Sequence, residues 1–283
     1  MKSFSYMKFF YYLFSRLPIR VLYIFSDIFY VFISRFYRKK VVDENIRNSF
    51  PNLSEVEYNK IKNRFYYNFC DIFFETIKSF SIKKSDILKS VSFKNIDIIN
   101  NHISKNERVV FLTSHQCNWE WLLLSLELNL DKRMHAIYKK LSNKKLNDIL
   151  FKSRSRFGTI MVESKEIIFK LRSDIKEIST LGIVADQSPN SNNRVEWVRM
   201  LNQDTAFFDS INYIPRITNS VVYFISMERK SRGKYVAEFI NISSLPHKKN
   251  KSIIHEYVNH LENKIIQNPG DWLWSHKRWK LTK

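Results

Sequence analysis

The stretch Val109-Val110-Phe111-Leu112-Thr113-Ser114-His115-Gln116-Cys117-Asn118-Trp119-Glu120 decides the fold. Its first five residues form a short apolar run of the kind that makes a strand buried on both faces, and a Trp/Leu-rich helix is expected from about Asn118 to Leu128. A histidine and a carboxylate therefore sit at a strand-to-helix junction. In α/β proteins reacting groups are exposed outside the carboxyl ends of strands. His115 can accept a proton near neutral pH, and Glu120, four intervening residues away, can hold the ring in one tautomer across a turn. The spacing alone is unspecific; the strand-end position gives it weight.

Outward from this junction the pattern keeps alternating. Short strands are expected at Met134–Tyr138, Leu181–Ala185, Val221–Ile225 and Tyr235–Phe239, and helices over about Lys144–Phe157, Ser164–Ile175 and Ser252–Gln267. Upstream, Ser54 and Glu57 form a capping box for a helix carrying Ile61, Phe65, Phe69, Ile72, Phe73 and Ile77 on one core-facing side. Strands alternating with helices predict an α/β layered sheet.

The chain has 283 residues, with 47 Lys+Arg against 27 Asp+Glu and a net charge of +20. That length buries one large domain, and the charge favours phosphate-bearing or acidic partners without choosing between nucleic acid, anionic lipid and acidic carrier proteins. Two cysteines, Cys70 and Cys117, are too few for a disulfide framework or a four-ligand zinc site. Four glycines leave no room for a Walker loop or a dinucleotide fingerprint. Neither a metal nor a nucleotide cofactor is expected.

From Phe9 to Phe36 the chain is aromatic and aliphatic, but Arg16, Arg20, Asp27 and Arg35 interrupt it before an uncharged run reaches the roughly 20 residues of a clean span. No small-residue cleavage site follows. With Arg38-Lys39-Lys40 behind it, residues 1–40 are expected to be an amphipathic or weakly spanning anchor on an anionic membrane, leaving 41–283 as the main domain. A buried helical hairpin broken at Leu17-Pro18 is the alternative.

Two further groups stand out. Asp186-Gln187 follows a second buried strand, so two strand ends deliver polar side chains toward one sheet edge, although Asp186 could also merely cap a turn with Ser188-Pro189-Asn190. Arg154 and Arg156 end a helix, where cations are favourable in any protein. The terminal Trp272-Leu273-Trp274-Ser275-His276-Lys277-Arg278-Trp279-Lys280 interleaves aromatics with cations, a pattern open to base stacking, membrane contact or core packing.

Taken in order, the aromatic N-terminus, Tyr37-Arg38-Lys39-Lys40-Val41-Val42 with Asn45-Ile46, Phe50-Pro51, His115 with Asn118-Trp119-Glu120, Arg154 with Arg156, Asp186-Gln187 and the tryptophan-rich terminus resemble the lipid A biosynthesis acyltransferases. These are the lauroyl- and myristoyltransferase type of the lysophospholipid-acyltransferase-like superfamily. The resemblance implies a glycerol-3-phosphate-acyltransferase-like layered sheet flanked by helices. It also implies an enzyme on the cytoplasmic face of the inner membrane that moves a fatty acyl chain from acyl carrier protein to a hydroxyl of a lipid A precursor.

By that resemblance His115 is the general base and Glu120 orients its imidazolium. Arg154, Arg156, Asp186 and Gln187 bind substrate or support the site, Arg154 through phosphate and Asp186 by holding that arginine or the acceptor. Trp119, Arg38, Lys39 and Lys40 meet lipid. The partners implied are acyl carrier protein, anionic membrane lipids and the lipid acceptor; a monomer without nucleic acid, metal or cofactor is expected. The same chemistry on a lysophospholipid, amino-acid lipid or polyene lipid is the alternative, and a non-catalytic basic membrane- or RNA-binding module is a more distant one. Two departures from the family pattern are visible. Cys117 stands where the motif often has glycine, and residues 196–208 do not match the stretch that follows the Asp-Gln pair, a region expected to line the lipid site.

Overall fold

A six-residue apolar strand at the centre of a sheet organises the molecule, whose computed structural model describes residues 6–248 and 251–283. In chain order the elements begin with α1 (Tyr6–Arg16), α2 (Ile19–Phe36), α3 (Lys39–Ser49), α4 (Glu55–Ser79), α5 (Lys84–Ser90), β1 (Val91–Phe93) and α6 (Ile96–Ser104). The central strand β2 (Arg108–Thr113) leads to α7 (Trp119–Asn129), β3 (Met134–Tyr138), α8 (Lys144–Arg154), β4 (Ile160–Glu163), α9 (Ile167–Ser173) and β5 (Thr180–Val184). After β6 (Val195–Met200) and β7 (Gln203–Phe208) come α10 (Ser210–Thr218), β8 (Ser220–Ser231), β9 (Lys234–Ser243) and α11 (Ile253–Gln267).

Seven strands form one sheet in the order β1-β9-β8-β2-β5-β3-β4. β8, β2, β5, β3 and β4 run parallel, while β9 is antiparallel to β8 and carries β1 beside it. Because successive side chains on a strand point to opposite faces, β2 supplies two cores. Val110 and Leu112 pack with α4, α10 and α11 on one side, whereas Val109 and Phe111 pack with α5, α6 and α7 on the other. This double burial explains the unbroken apolar run, and it accounts for α7, whose Trp121, Leu122, Leu124 and Leu126 are all buried.

The capping box at α4 forms as expected: the Ser54 backbone N–H donates to the Glu57 carboxylate at 2.9 Å, and the Glu57 N–H donates to Ser54 Oγ at 3.3 Å. Phe65 and Ile72 are buried, but Phe73 is 44 % exposed and stacks on Phe29 of α2. Elsewhere the structure departs from the periodicity reading. The helix expected over residues 164–175 is shorter, Ile167–Ser173, because a turn closed by the Glu166 N–H on the Glu163 carbonyl precedes it, and Ile160-Met161-Val162-Glu163 pairs with β3 as an unforeseen strand, β4. The unmatched stretch at 196–208 folds as the β6–β7 hairpin. Its two-residue turn, Leu201-Asn202, has both φ angles positive (49° and 64°), the backbone a tight hairpin needs to match strand twist.

The N-terminal helices break at Leu17-Pro18 and bend by 115°, and among the described residues no single helix is long and apolar enough to cross a membrane. Each is two-faced. Leu22 is buried against Phe74 and Ile77 of α4, while Phe9, Phe10, Leu13, Ile24, Ile28 and Phe32 remain exposed.

The α4 cap offers a direct check. Ser54→Ala should cost about 1 kcal/mol of stability, the usual worth of an N-cap hydroxyl, read as a lower denaturation midpoint with an unchanged denaturant slope.

Candidate active site

The parallel register of β2 and β5 sets the geometry of the site. Val109 lies opposite Thr180 and Thr113 opposite Val184, and the Ala185 N–H still donates to the Thr113 carbonyl at 2.9 Å. Carried two residues past the strand ends, the same offset of 71 places His115 on Asp186. His115 Nδ1 meets Asp186 Oδ1 at 2.6 Å, and the His115 backbone N–H donates to Oδ2 at 2.9 Å. Trp272 completes the carboxylate's shell, its indole N–H donating to Oδ2 at 2.8 Å. Asp186 is buried, which by itself would raise its pKa, but the His115 charge and these hydrogen bonds outweigh burial and hold it below the usual carboxylate range. An ionised Asp186 only accepts, so Nδ1 carries the ring hydrogen and Nε2 offers its lone pair. The Gln187 side-chain nitrogen lies 3.1 Å from that Nε2.

The loop from β2 to α7 is fixed one residue at a time. The Gln116 amide donates to the Lys264 carbonyl, Gln116 pairs with Trp272 in an isolated antiparallel bridge, and the Cys117 N–H donates to the Asp271 carbonyl at 2.9 Å. Asn118 caps α7 by accepting the Trp121 N–H at 2.8 Å. Cys117 has φ of 54°, the left-handed region, which is the physical reason a glycine suits this position. Its thiol is buried and burial pushes its pKa well up, so it is a poor nucleophile.

Glu120 and Arg154 do not take the partners expected of them. The structure gives the His115 ring to Asp186, and Glu120 to Arg154 as a two-pronged pair, Nε to Oε2 at 2.9 Å and Nη2 to Oε1 at 2.5 Å. Asp186 accordingly does not hold the arginine. The reason is directional: the reversal at Cys117 and the cap at Asn118 turn the first turn of α7 toward the end of α8, while β5 already supplies a carboxylate to the ring. Burial alone would raise the Glu120 pKa, but the Arg154 charge, its hydrogen bonds and the His115 charge bring it below the usual range. Arg156 lies aside, donating to the Ser79 carbonyl at 2.6 Å and stacking on Phe157.

Trp119 stands edge-on to the His115 ring at 4.9 Å between centroids. Beside both runs a narrow crevice of about 10 Å³ lined by Phe65, Asn68, Phe69, Ile72 and Leu273, so the histidine borders a mainly apolar wall supplied by α4 and the C-terminal segment. That segment takes the core-packing option: Trp272 and Trp274 are buried, and Trp279 donates to Thr205 Oγ1 at 2.8 Å. Arg278 is buried over Phe207 and donates to the Ala206 carbonyl, and burial pushes its pKa down to about 10. Arg38 reaches back to this segment, donating to the Ser275 carbonyl at 2.9 Å, while Lys39 and Lys40 stay exposed.

Sequence reasoning missed His276 and Tyr257. His276 Nε2 accepts the Ser188 N–H at 3.1 Å and so braces the strand end that presents Asp186 and Gln187; the Tyr257 hydroxyl donates to the Thr113 carbonyl at 2.9 Å from the other side. The only signal for His276 was its place in the terminal motif.

Acid should loosen this site from two sides. Burial lowers the His276 pKa to about 4, so its contribution is intact above the ordinary histidine value of about 6.5 and is lost as pH falls toward 4. Asp186 and Glu120 are also depressed, so their contribution is present above the ordinary carboxylate range and lost as pH falls through the lower folded values. Urea unfolding from pH 7 to 3 should show steep loss of stability, shallower between pH 6.5 and 4 in His276→Gln and shallower at the acid end in Asp186→Asn. Cys117→Gly should keep activity, and thiol reagents should leave the native protein's activity unchanged.

A comparison with curated proteins finds no match. The family model described as bacterial lipid A biosynthesis acyltransferase matches residues 3–281, nearly the whole chain. The histidine-bearing strand end and the ordered motifs around it thus belong to a chain of the bacterial lipid A biosynthesis acyltransferase family.

Proposed function

We propose that this acyltransferase moves a fatty acyl chain from the thioester of acyl carrier protein to a hydroxyl of a lipid A precursor, with His115 as general base. The observation that carries the reading is the His115–Asp186 pair, whose histidine lines an apolar crevice and keeps Nε2 as an acceptor for the Gln187 amide. Asp186 keeps the hydrogen on Nδ1. An acceptor hydroxyl displaces the Gln187 amide from Nε2 and gives its proton to that nitrogen as its oxygen attacks the thioester carbonyl. The tetrahedral intermediate then collapses, the carbon–sulfur bond breaks, and the proton passes from Nε2 to the leaving sulfur. No covalent enzyme intermediate is needed, which leaves Cys117 a bystander.

Glu120 and Arg154 form a buried, charge-balanced wall next to the base in this reading. Arg154 is paired with Glu120, which fixes its plane, and its side chain is 23 % exposed; in this reading its remaining donors take an anionic substrate group. The exposed aromatic face of α1 and α2, followed by Arg38, Lys39 and Lys40, supports seating on the cytoplasmic leaflet of the inner membrane, where lipid acceptors reside. The net charge of +20 fits both that leaflet and an acidic carrier protein.

His115→Ala should lower kcat by about 10²–10⁴-fold, the range of a positioned base. Asp186→Asn should also be severe, because an asparagine amide facing Nδ1 favours the wrong tautomer. Mass spectrometry of lipid from a deletion strain complemented with wild type or His115→Ala tests the acceptor. Lipid A lacking one acyl chain, restored by wild type alone, is the expected result; intact lipid A with a different acyl lipid missing would redirect the reading to that lipid. Purified enzyme should prefer the acyl carrier protein thioester over the coenzyme A thioester, and the reverse preference would overturn the donor assignment.

A further inference from the structure

Glu75 is fully buried in α4 and takes no part in the chemistry above, yet three donors converge on its carboxylate. The Tyr23 hydroxyl of α2 donates to Oε1 at 2.7 Å, and the Tyr235 hydroxyl of β9 and the Asn118 amide both donate to Oε2 at 2.6 Å. The Glu75 backbone carbonyl accepts the Trp121 indole N–H at 3.0 Å. One residue of α4 thus holds both the capping side chain of α7 and an aromatic of its first turn. The next turn of α4 extends the cluster: buried Asp71 accepts from Ser26 of α2, from Arg229 and from Arg232, and Arg232 also bonds Asp27 of α2. Gly233, left-handed at φ 72°, lets the β8–β9 turn close over this cluster, since a Cβ there would lie 2.3 Å from the Tyr23 hydroxyl.

Burying charged groups is rarely the cheapest way to stabilise a core, and apolar replacements of similar volume are often neutral or better. What Glu75 supplies that an apolar side chain cannot is a fixed acceptor. We propose that Glu75 is a positioning residue: it clamps the Asn118 amide so that α7 starts at one defined residue, which sets where Trp119 and Glu120 leave the His115 loop. Through Tyr23 the same carboxylate makes that clamp depend on how α2 is seated. The proposal rests on the acyl-transfer reading for its kinetic arm only.

Glu75→Leu removes the acceptor while keeping the core filled, and Glu75→Gln restores an acceptor without the charge. Glu75→Leu should remain folded and lose about 10–100-fold in kcat, as small displacements in an active site do, with KM for the acyl donor unchanged; Glu75→Gln should recover most of the rate. Backbone hydrogen exchange should accelerate across residues 114–123 in Glu75→Leu and little elsewhere. Asn118→Ala should produce a similar loss, and the double variant should be no worse than either single one. Tyr23→Phe should give a smaller loss of the same kind, and it decides the matter if Glu75→Leu fails to fold. Wild-type kcat in folded Glu75→Leu, losses that simply multiply in the double variant, or unchanged exchange at 114–123 would each overturn the proposal. A wild-type protein inactive on lipid A precursors would sink the functional reading instead, while the exchange arm would still decide this one.

Discussion

The register between two parallel strands is the constraint on which the site depends. β2 and β5 are buried on both faces, so a slip of one residue would turn every apolar side chain toward the wrong core. The pairing is therefore locked by hydrophobic packing far from the chemistry. Locking it also locks His115 against Asp186 just beyond the strand ends. The connections then diverge: β2 runs through α7 toward β3 on one side, whereas β5 runs through the hairpin and α10 to β8 on the other. That divergence opens the crevice that His115 lines.

Buried polar groups carry the second level of order. Asp186, Glu120, Glu75 and Asp71 are all buried, and each has charged or hydrogen-bonding partners from a different segment of the chain. Single deletions in such clusters leave an uncompensated group and are costly, so the clusters act more as specifiers of arrangement than as net sources of stability. Their placement is informative. Asp186 joins the strand end to the C-terminal tryptophans, Glu120 joins α7 to α8, and Glu75 with Asp71 joins α2, α4 and the β8–β9 turn. Asp186 and Glu75 thus both hold the loop that carries His115, one through the His115 ring and backbone and the other through the Asn118 amide.

These clusters also mark where reading the chain by eye stops. His115 was legible, because an apolar run ending in a polar junction is a local pattern, and Asp186 was visible for the same reason. Their partnership was not, since it requires knowing that strands 71 residues apart are neighbours in register. Glu120 looked like the ring's partner because sequence proximity stands in for distance across a turn, and the left-handed residue at Cys117 breaks that equivalence. Asp71 and Glu75 were hidden in a helix whose apolar side was conspicuous: helical periodicity marks one face as core and says nothing of a carboxylate buried on another. The β6–β7 hairpin was missed because its turn uses leucine and asparagine in a backbone region that glycine usually announces. The tryptophan-rich terminus allowed three readings, and only packing separates them.

The N-terminal helices show how one segment meets two demands. A sequence built only for the bilayer would omit Asp27, which interrupts the apolar run and weakens it as a span. In the folded chain that aspartate binds Arg232, and on the same side of α2 Tyr23 and Ser26 reach Glu75 and Asp71. The opposite side keeps its aromatic and aliphatic residues exposed. The residue that spoils α2 as a free membrane helix is thus one that ties it to the catalytic body. A helix held this way presents its apolar face in a fixed orientation relative to His115, because Asp27, Tyr23 and Ser26 all bond to residues of the main body.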